Sequence, residues 1–527
     1  MNLLLILALA GAAPRFRAEP IRAHMTFLAS DLLEGRGTAT RGHEIAASYV
    51  ASQFEAAGLE PGANGSWYQR VPFLQTTGDP SSTVTITRRG AAPVVLRNFE
   101  RFTTYGDPLR DDSIIEGDVV FAGYGVTAPD QGYDDYANVD VRGKIVALAS
   151  GAPPRFANPL RAHHSSTIVK MENAAKHGAV GLIFIRTPAD DRRAPWARSV
   201  RQSRLGSMHW LRADGTPNAV FPEVSTSINF GADATSLLFD NPSEVAETIE
   251  RGTPKAAALP VHVRAHLVSK HAKVSSPNVV GLLRGSDPQL RDEYLVYTGH
   301  LDHLGITEAV NGDGINNGAL DNAAGIAIML EVAHALAAGP RPRRSILIVA
   351  TTAEEKGLRG ADYFANNPPV PASQIVADLN IDMPMLLHRA RDLTAIGAET
   401  SDLGDVAREV ARDMQVELSP DPIPEEVIFV RSDQYPFIRR GIPSLYIDSG
   451  YHAVEAGVDM QREFEEWLAT RYHSPSDDLQ QPIDYEAALP LTEFEYRLGL
   501  AIANRTERPR WKPGDFFGIT YGRAAGR

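Results

Sequence analysis

From Pro277 onward the chain alternates short strand-like runs with helix-like ones, and that alternation leaves few ways to fold. Tyr294 to Thr298, Ser345 to Thr351, Ile375 to Ile381 and Pro443 to Ile447 are dense in apolar and β-branched residues and read as strands. Asn322 to Ala338, Leu358 to Asn366 and Leu403 to Met414 read as helices between and after them. Such a pattern predicts an α/β fold with a mixed, mostly parallel central sheet flanked by helices. Open sheets of this kind collect ligands beyond the carboxyl ends of their strands.

Those ends are where the polar chemistry sits. His300 lies just past the first strand, Glu354 and Glu355 past the second, and Asp382 past the third. Asp321 opens a helix, and His473 stands before Ser474-Pro475-Ser476. Each has an ordinary reading by itself. Asp321 would serve as a helix N-cap, the glutamates as a helix entrance favoured by the macrodipole, and His473 as a loop residue. Together they are the nitrogen and oxygen donor set that suits two borderline-soft divalent cations sharing one carboxylate. The chain has no cysteine, so disulfides and thiolate metal sites are excluded.

At 527 residues the chain exceeds what one hydrophobic core supports, and more than one domain is expected. A net charge of −13 disfavours nucleic acid as a partner, because a phosphate backbone requires clustered Lys and Arg. Leu3 to Gly11 is a short apolar run ending in the small-residue pattern Ala10-Gly11-Ala12, which predicts a signal peptide over 1–13 and a periplasmic or secreted protein. No membrane span is expected after it.

Ile21, Met25, Leu28 and Leu32, then Ile45, Tyr49, Val50 and Phe54, recur at helical spacing and predict two core-packed helices. Farther on, Val119 to Phe121, Lys144 to Leu148 and Val180 to Ile185 read as strands, with a helix over Ile168 to His177 closed by Gly178. Gly151 to Ser165 and Pro188 to Pro217 read as polar loops, and His163-His164 as solvated loop residues. The last stretch, from Arg505, reads as a surface tail.

Five stretches carry a resemblance to the M28 family of zinc metallopeptidases. They are Thr298 to Gly305, Ala319 to Gly325, Thr352 to Leu358, Asn380 to Met383 and Tyr472 to Asp477. A weaker resemblance, through Phe121 to Val126 and Asp134-Asp135-Tyr136, is to a protease-associated (PA) domain, β-rich and inserted into the peptidase unit. The domain boundaries expected are 19–106 and 271–506 for the peptidase, 107–270 for the PA-like insert and 507–527 for the tail.

The resemblance implies two co-catalytic zinc ions bridged by Asp321, with His300 and Asp382 completing one site and Glu355 and His473 the other. It implies Glu354 as general base and Asp302 as the acceptor that holds the His300 ring. Two residues apart on a strand share a face, which agrees with that last role. Tyr451 is a candidate for holding the oxyanion. Relatives often carry Ser-Asp-His where this chain has Ser432-Asp433-Gln434, which puts a supporting role for Gln434 in question. Met383-Pro384 is a second local departure, since proline restricts its predecessor.

The activity so implied is exopeptidase hydrolysis releasing N-terminal residues from a peptide substrate. Carboxypeptidase or dipeptidase action is the alternative; it needs an arginine clamp for a carboxylate, with Arg431, Arg439 and Arg440 as possible donors. A catalytically inactive binding homologue and a one-zinc glutaminyl cyclase are further alternatives, and the completeness of the ligand set argues against both.

Overall fold

The computed structural model describes residues 14–522. The expected signal peptide lies outside the described residues. Two helices, α1 (Ala18–Leu28) and α2 (Arg41–Ala57), open the fold and bury Ile21, Met25, Leu28, Val50 and Phe54. Leu32 does not join them: it is 79% exposed, because α1 stops at Leu28 and the chain tightens into the 3-10 turn Asp31–Arg36, which buries Leu33 instead.

A long strand pair then defines the architecture. Strand β1 (Tyr68–Gly78) runs antiparallel to β2 (Ala257–Leu283). The β2 strand spans 27 residues and serves two sheets. Its first half pairs with Thr83–Arg88 and Asp112–Phe121, and its end pairs with β4 (Ser345–Thr351), which follows β3 (Tyr294–His300) and α3 (Ala324–Ala338). From β2 the central sheet continues β4, β3, β5 (Ile375–Ile381) and β6 (Ser444–Ser449). The β4–β3, β3–β5 and β5–β6 pairings are all parallel; Asp392–Ile396 adds to β6 antiparallel, and Glu417–Ser419 pairs parallel with it beyond.

Strands β3, β4 and β5 are buried along their whole length, as expected of parallel strands covered on both faces. Alternate side chains feed two cores: Leu295, Tyr297, Ile346 and Ile348 face one with α3, while Val296, Leu347 and Val349 face the other with Phe364 and Phe437. Helix α3 belongs to the apolar turn-and-helix segment Ala319–Ala338, whose most apolar window is 83% buried. That is the setting of a core helix. Helices α4 (Met460–Thr470) and α5 (Ala488–Asn504) complete the layers.

The second sheet has its own core around Phe102, Val119, Phe121, Ile145, Ile183, Phe230 and Val263. It begins before the expected boundary at 107, since Thr83–Arg88, Val94–Arg97 and Phe102–Thr103 already pair within it. The segment read as a loop over Pro188 to Pro217 carries the helices Pro188–Arg193 and Trp196–Arg204 and the strand Ser207–Trp210, which returns to β1. His163 and His164 are buried rather than solvated. They lie on the helix Asn158–Ser165, where His163 Nδ1 meets the Tyr435 hydroxyl at 2.8 Å and the ring packs among Phe516, Phe517 and Tyr521. The tail is likewise anchored, with Phe517 buried on the short helix Phe516–Thr520.

Candidate metal centre

The expected ligands converge at one edge of the central sheet. His300 is the last residue of β3, Asp382 follows β5 directly, and Glu354 and Glu355 leave the turn after β4. Asp321 sits in the distorted turn Ala319–Ala323 ahead of α3, and His473 follows α4. Three non-glycine residues at this edge have positive φ: Ala353 (56°), Met383 (47°) and His473 (54°). Such conformations cost free energy and gather where a site must aim side chains against local preference. The expected departure at Met383-Pro384 takes this form.

Two donor groups share Asp321. In the first, His300 Nε2 lies 2.9 Å from Asp382 Oδ1 and 3.2 Å from Asp321 Oδ1. In the second, His473 Nε2 lies 3.2 Å from Asp321 Oδ2 and 2.9 Å from Glu355 Oε2. The second group also holds an imidazole that the sequence reading gave no role. His303 Nδ1 lies 2.6 Å from Glu355 Oε1 and 3.8 Å from Asp321 Oδ2. Its spacing three residues after His300, inside the same stretch, was the available signal.

The donor atoms fit cations. Asp321 Oδ2, Glu355 Oε1 and both ring nitrogens of His303 are buried without a hydrogen-bond partner, although buried polar atoms are normally satisfied. The close His303–Glu355 approach lacks hydrogen-bond direction. The charge balance points the same way. Burial lowers the basicity of His473, but Glu355 and Asp321 outweigh it and push the ring up to about 9. Burial likewise opposes the charge of His300, and the carboxylates of Asp382 and Glu354 hold it well above the usual range. Burial would raise Asp321, yet the surrounding imidazoles keep it well below the ordinary carboxylate range. Carboxylates that draw positive charge onto His300 and His473 mark a cage that favours positive charge.

Glu354 is different from its neighbour. Burial first, then Glu355 and Asp382, push its carboxyl well above the ordinary value despite His300 nearby. Glu355 is held low, because His473 and His303 overcome the effect of its burial. Two adjacent glutamates are thus set apart by environment, which suits one for ligation and the other for proton transfer.

The supporting contacts correct one expectation. Asp302 does not hold the His300 ring through its carboxylate. The strand ends at His300, so the same-face argument fails, and His300 Nδ1 meets the backbone carbonyl of Asp302 at 3.0 Å. The Asp302 carboxylate instead accepts from the Glu354 backbone N–H at 3.0 Å and from the Thr38 hydroxyl at 2.8 Å. It therefore positions the general-base candidate rather than the metal ligand.

Other supports were not foreseen. Asp477 accepts from the backbone N–H groups of Leu320 and Asp321, both at 3.0 Å. The Asn322 side chain accepts from Met383 N–H at 3.1 Å and donates to the Ile381 carbonyl at 3.1 Å, tying the Asp321 turn to the Asp382 strand. Arg36, fully buried, donates to the carbonyls of Leu28, Leu301, Asn317 and Gly318. Gln434 does support the site: its side-chain oxygen accepts from Asn380 at 3.1 Å on β5.

The second sheet's unit reaches in as well. On Trp196–Arg204, the Gln202 amide contacts His473 Nδ1, and Arg198 donates to the Leu468 carbonyl at 2.8 Å. The centre opens on a pocket walled by Met383, Ile428, Phe464 and Leu468, with Glu426, Arg431 and Tyr472 among its polar lining. Arg431 donates to Glu426 at 2.8 Å and to the Tyr472 hydroxyl at 3.0 Å. Tyr451, Arg439 and Arg440 do not line this pocket; Tyr446 and Tyr472 do.

Comparison with known proteins fits this geometry. Residues 278–494 match the model of peptidase family M28. A probable zinc metalloprotease of Leptosphaeria maculans is 35% identical over 127 residues, 24% of this chain and 26% of that protein. An aminopeptidase of Mus musculus, NAALADL1, is 24% identical over 348 residues, 56% of this chain and 42% of that one. The chain thus spans about a quarter of the length of the first curated relatives it matches. An aminopeptidase structure from Aneurinibacillus sp. strain AM-1 superimposes with a TM-score of 0.53 at 18% identity, covering 95% of this chain and 97% of its own. The two share a fold, and over residues 278–494 this chain is similar to peptidase family M28.

Proposed function

We propose that the protein is a di-zinc aminopeptidase. The observation that carries the reading is the pair of buried donor groups meeting at Asp321 beside the free carboxyl of Glu354. His300 and Asp382 would hold one ion, Glu355 and His473 the other, with His303 as an added donor on the second side. When bound, such ions polarise a carbonyl oxygen and lower the pKa of water at the site.

Glu354 accepts the proton of the attacking water as the oxygen bonds to the scissile carbonyl carbon. As the C–N bond breaks, the same carboxyl returns that proton to the departing amine. Burial and neighbouring carboxylates raise Glu354, which strengthens its hold on a proton taken from the water until the amine departs. Asp302 holds the backbone of Glu354, and Tyr472, which lines the pocket, replaces Tyr451 as the candidate to hold a developing oxyanion, since the Tyr446 hydroxyl donates to the Asp382 carbonyl at 2.7 Å. The apolar wall takes the side chain of the released residue, and the acid-rich edge suits a free α-ammonium.

The pocket geometry weighs against the carboxypeptidase alternative. Arg431, the one expected clamp that lines the pocket, is already engaged by Glu426 and Tyr472. A substrate carboxylate would have to displace a charged partner to use it. Export across a membrane and a PA-type identity for the second sheet remain part of this proposal. The deciding assay is a panel of aminoacyl-anilides and N-blocked dipeptides on metal-quantified protein. Hydrolysis of the free-amine substrates is expected, and cleavage of blocked substrates alone would overturn the reading.

A further inference from the structure

We propose a second, non-catalytic metal site that binds a zinc-class cation between the first helix and the central core helix. Its donors are His24 on α1 and Glu331 and His334 on α3, three side chains whose ligand atoms all lie within 4.8 Å of one another. The inference does not depend on the proposed function.

The distances favour a cation over a simple ion pair. His24 Nε2 lies 3.3 Å and His334 Nδ1 3.6 Å from the same oxygen, Glu331 Oε1. A direct charge-assisted contact would close to about 2.7–2.9 Å. Donors arranged tetrahedrally about zinc at about 2.0–2.1 Å are instead separated by roughly 3.4 Å. Both separations fall near that tetrahedral edge, and they radiate from one shared oxygen.

The outer contacts fit the same assignment. An imidazole that gives one nitrogen to a cation keeps its proton on the other, and needs an acceptor there. His24 Nδ1 has the Tyr49 hydroxyl at 2.8 Å, and His334 Nε2 has the Gln53 carbonyl at 3.3 Å. Both acceptors come from α2, so three helices fix the two rings. The His24 and Glu331 side chains are 8% and 14% exposed, whereas His334 is 34% exposed and leaves a side open for entry and for a water as fourth ligand. The spacing Glu331 to His334 places two donors on one helical face, and α1 supplies the third across the packing interface.

The site is remote from the catalytic cage. Glu331 follows Asp321 by ten positions, most of them on α3, a rise of about 15 Å. A cation there would clamp α1 to the helix whose leading turn carries Asp321. It would stabilise that packing without touching substrate.

The test is zinc counting on full-length protein loaded with zinc and dialysed. His334→Ala, a part-exposed position whose truncation leaves the core intact, is expected to lose one zinc and keep wild-type turnover. Asp321→Ala is expected to lose the catalytic zinc and retain one, and zinc should still raise its melting temperature. Glu331→Gln should behave as His334→Ala does. A zinc content unchanged by both His334→Ala and Glu331→Gln would overturn the site, as would Asp321→Ala protein that binds none. Wild-type protein whose only zinc survives Asp321→Ala would uphold this site and sink the di-zinc catalytic reading instead.

Discussion

The two halves of the proposed metal cage are built differently. The His300 half is made wholly from the central sheet: a strand end, a residue immediately after a second strand, and a ring held by a backbone carbonyl. The His473 half hangs on a loop residue with positive φ and is braced by Gln202 from the unit of the second sheet. It also holds the unpartnered His303 ring. One half is fixed by the fold, the other by docking between two units. Metal affinity on the second side should therefore depend on how that unit sits.

The largest effect should come from the element common to both halves. Asp321→Ala is expected to empty both catalytic positions and abolish peptide hydrolysis, as read by metal analysis and turnover. Zinc retained in both positions would break the comparison at its base. Next comes Glu354→Gln, which should keep both ions and lose about 10²–10⁴-fold in turnover. Loss of metal in that variant would mean Glu354 is a ligand.

Changes confined to one half should be smaller and selective. Gln202→Ala removes the contact at His473 Nδ1 and should weaken metal binding on that side about 10–100-fold, the usual cost of losing an outer partner. Chelator competition should show one ion lost early and the other held as in wild type. Equal loss from both sides would remove the distinction between the halves. Asp302→Asn turns the charge-assisted bond from the Glu354 backbone into a weaker neutral one and should lower turnover by roughly tenfold with both ions retained.

Much of this was legible from the chain because its polar residues fall at strand ends. Strands Ser345–Thr351 and Ile375–Ile381 and helix Leu403–Met414 stand where the hydrophobic runs put them. Local pattern reports such elements well when they are buried on both faces. Asp302 was misassigned for a local reason: the strand stops two residues earlier, and the two-residue period no longer applies. Arg36 and Asp477 were unreadable for a different reason. Their partners are backbone groups brought together only by the turns at Leu301 and Gly318 to Asp321. The second unit was read least well. Its helix Trp196–Arg204 is rich in arginine and serine and looks like loop, because its buried contacts are polar ones such as those of Arg198.

The account stands on two ions meeting at one aspartate. Anomalous diffraction at the zinc edge from zinc-loaded crystals tests that directly. Two peaks about 3.5–4 Å apart, flanking Asp321 and each touching one of His300 and His473, are the predicted result. A lone peak bound to only one of those imidazoles, or none at the sheet edge, would contradict it.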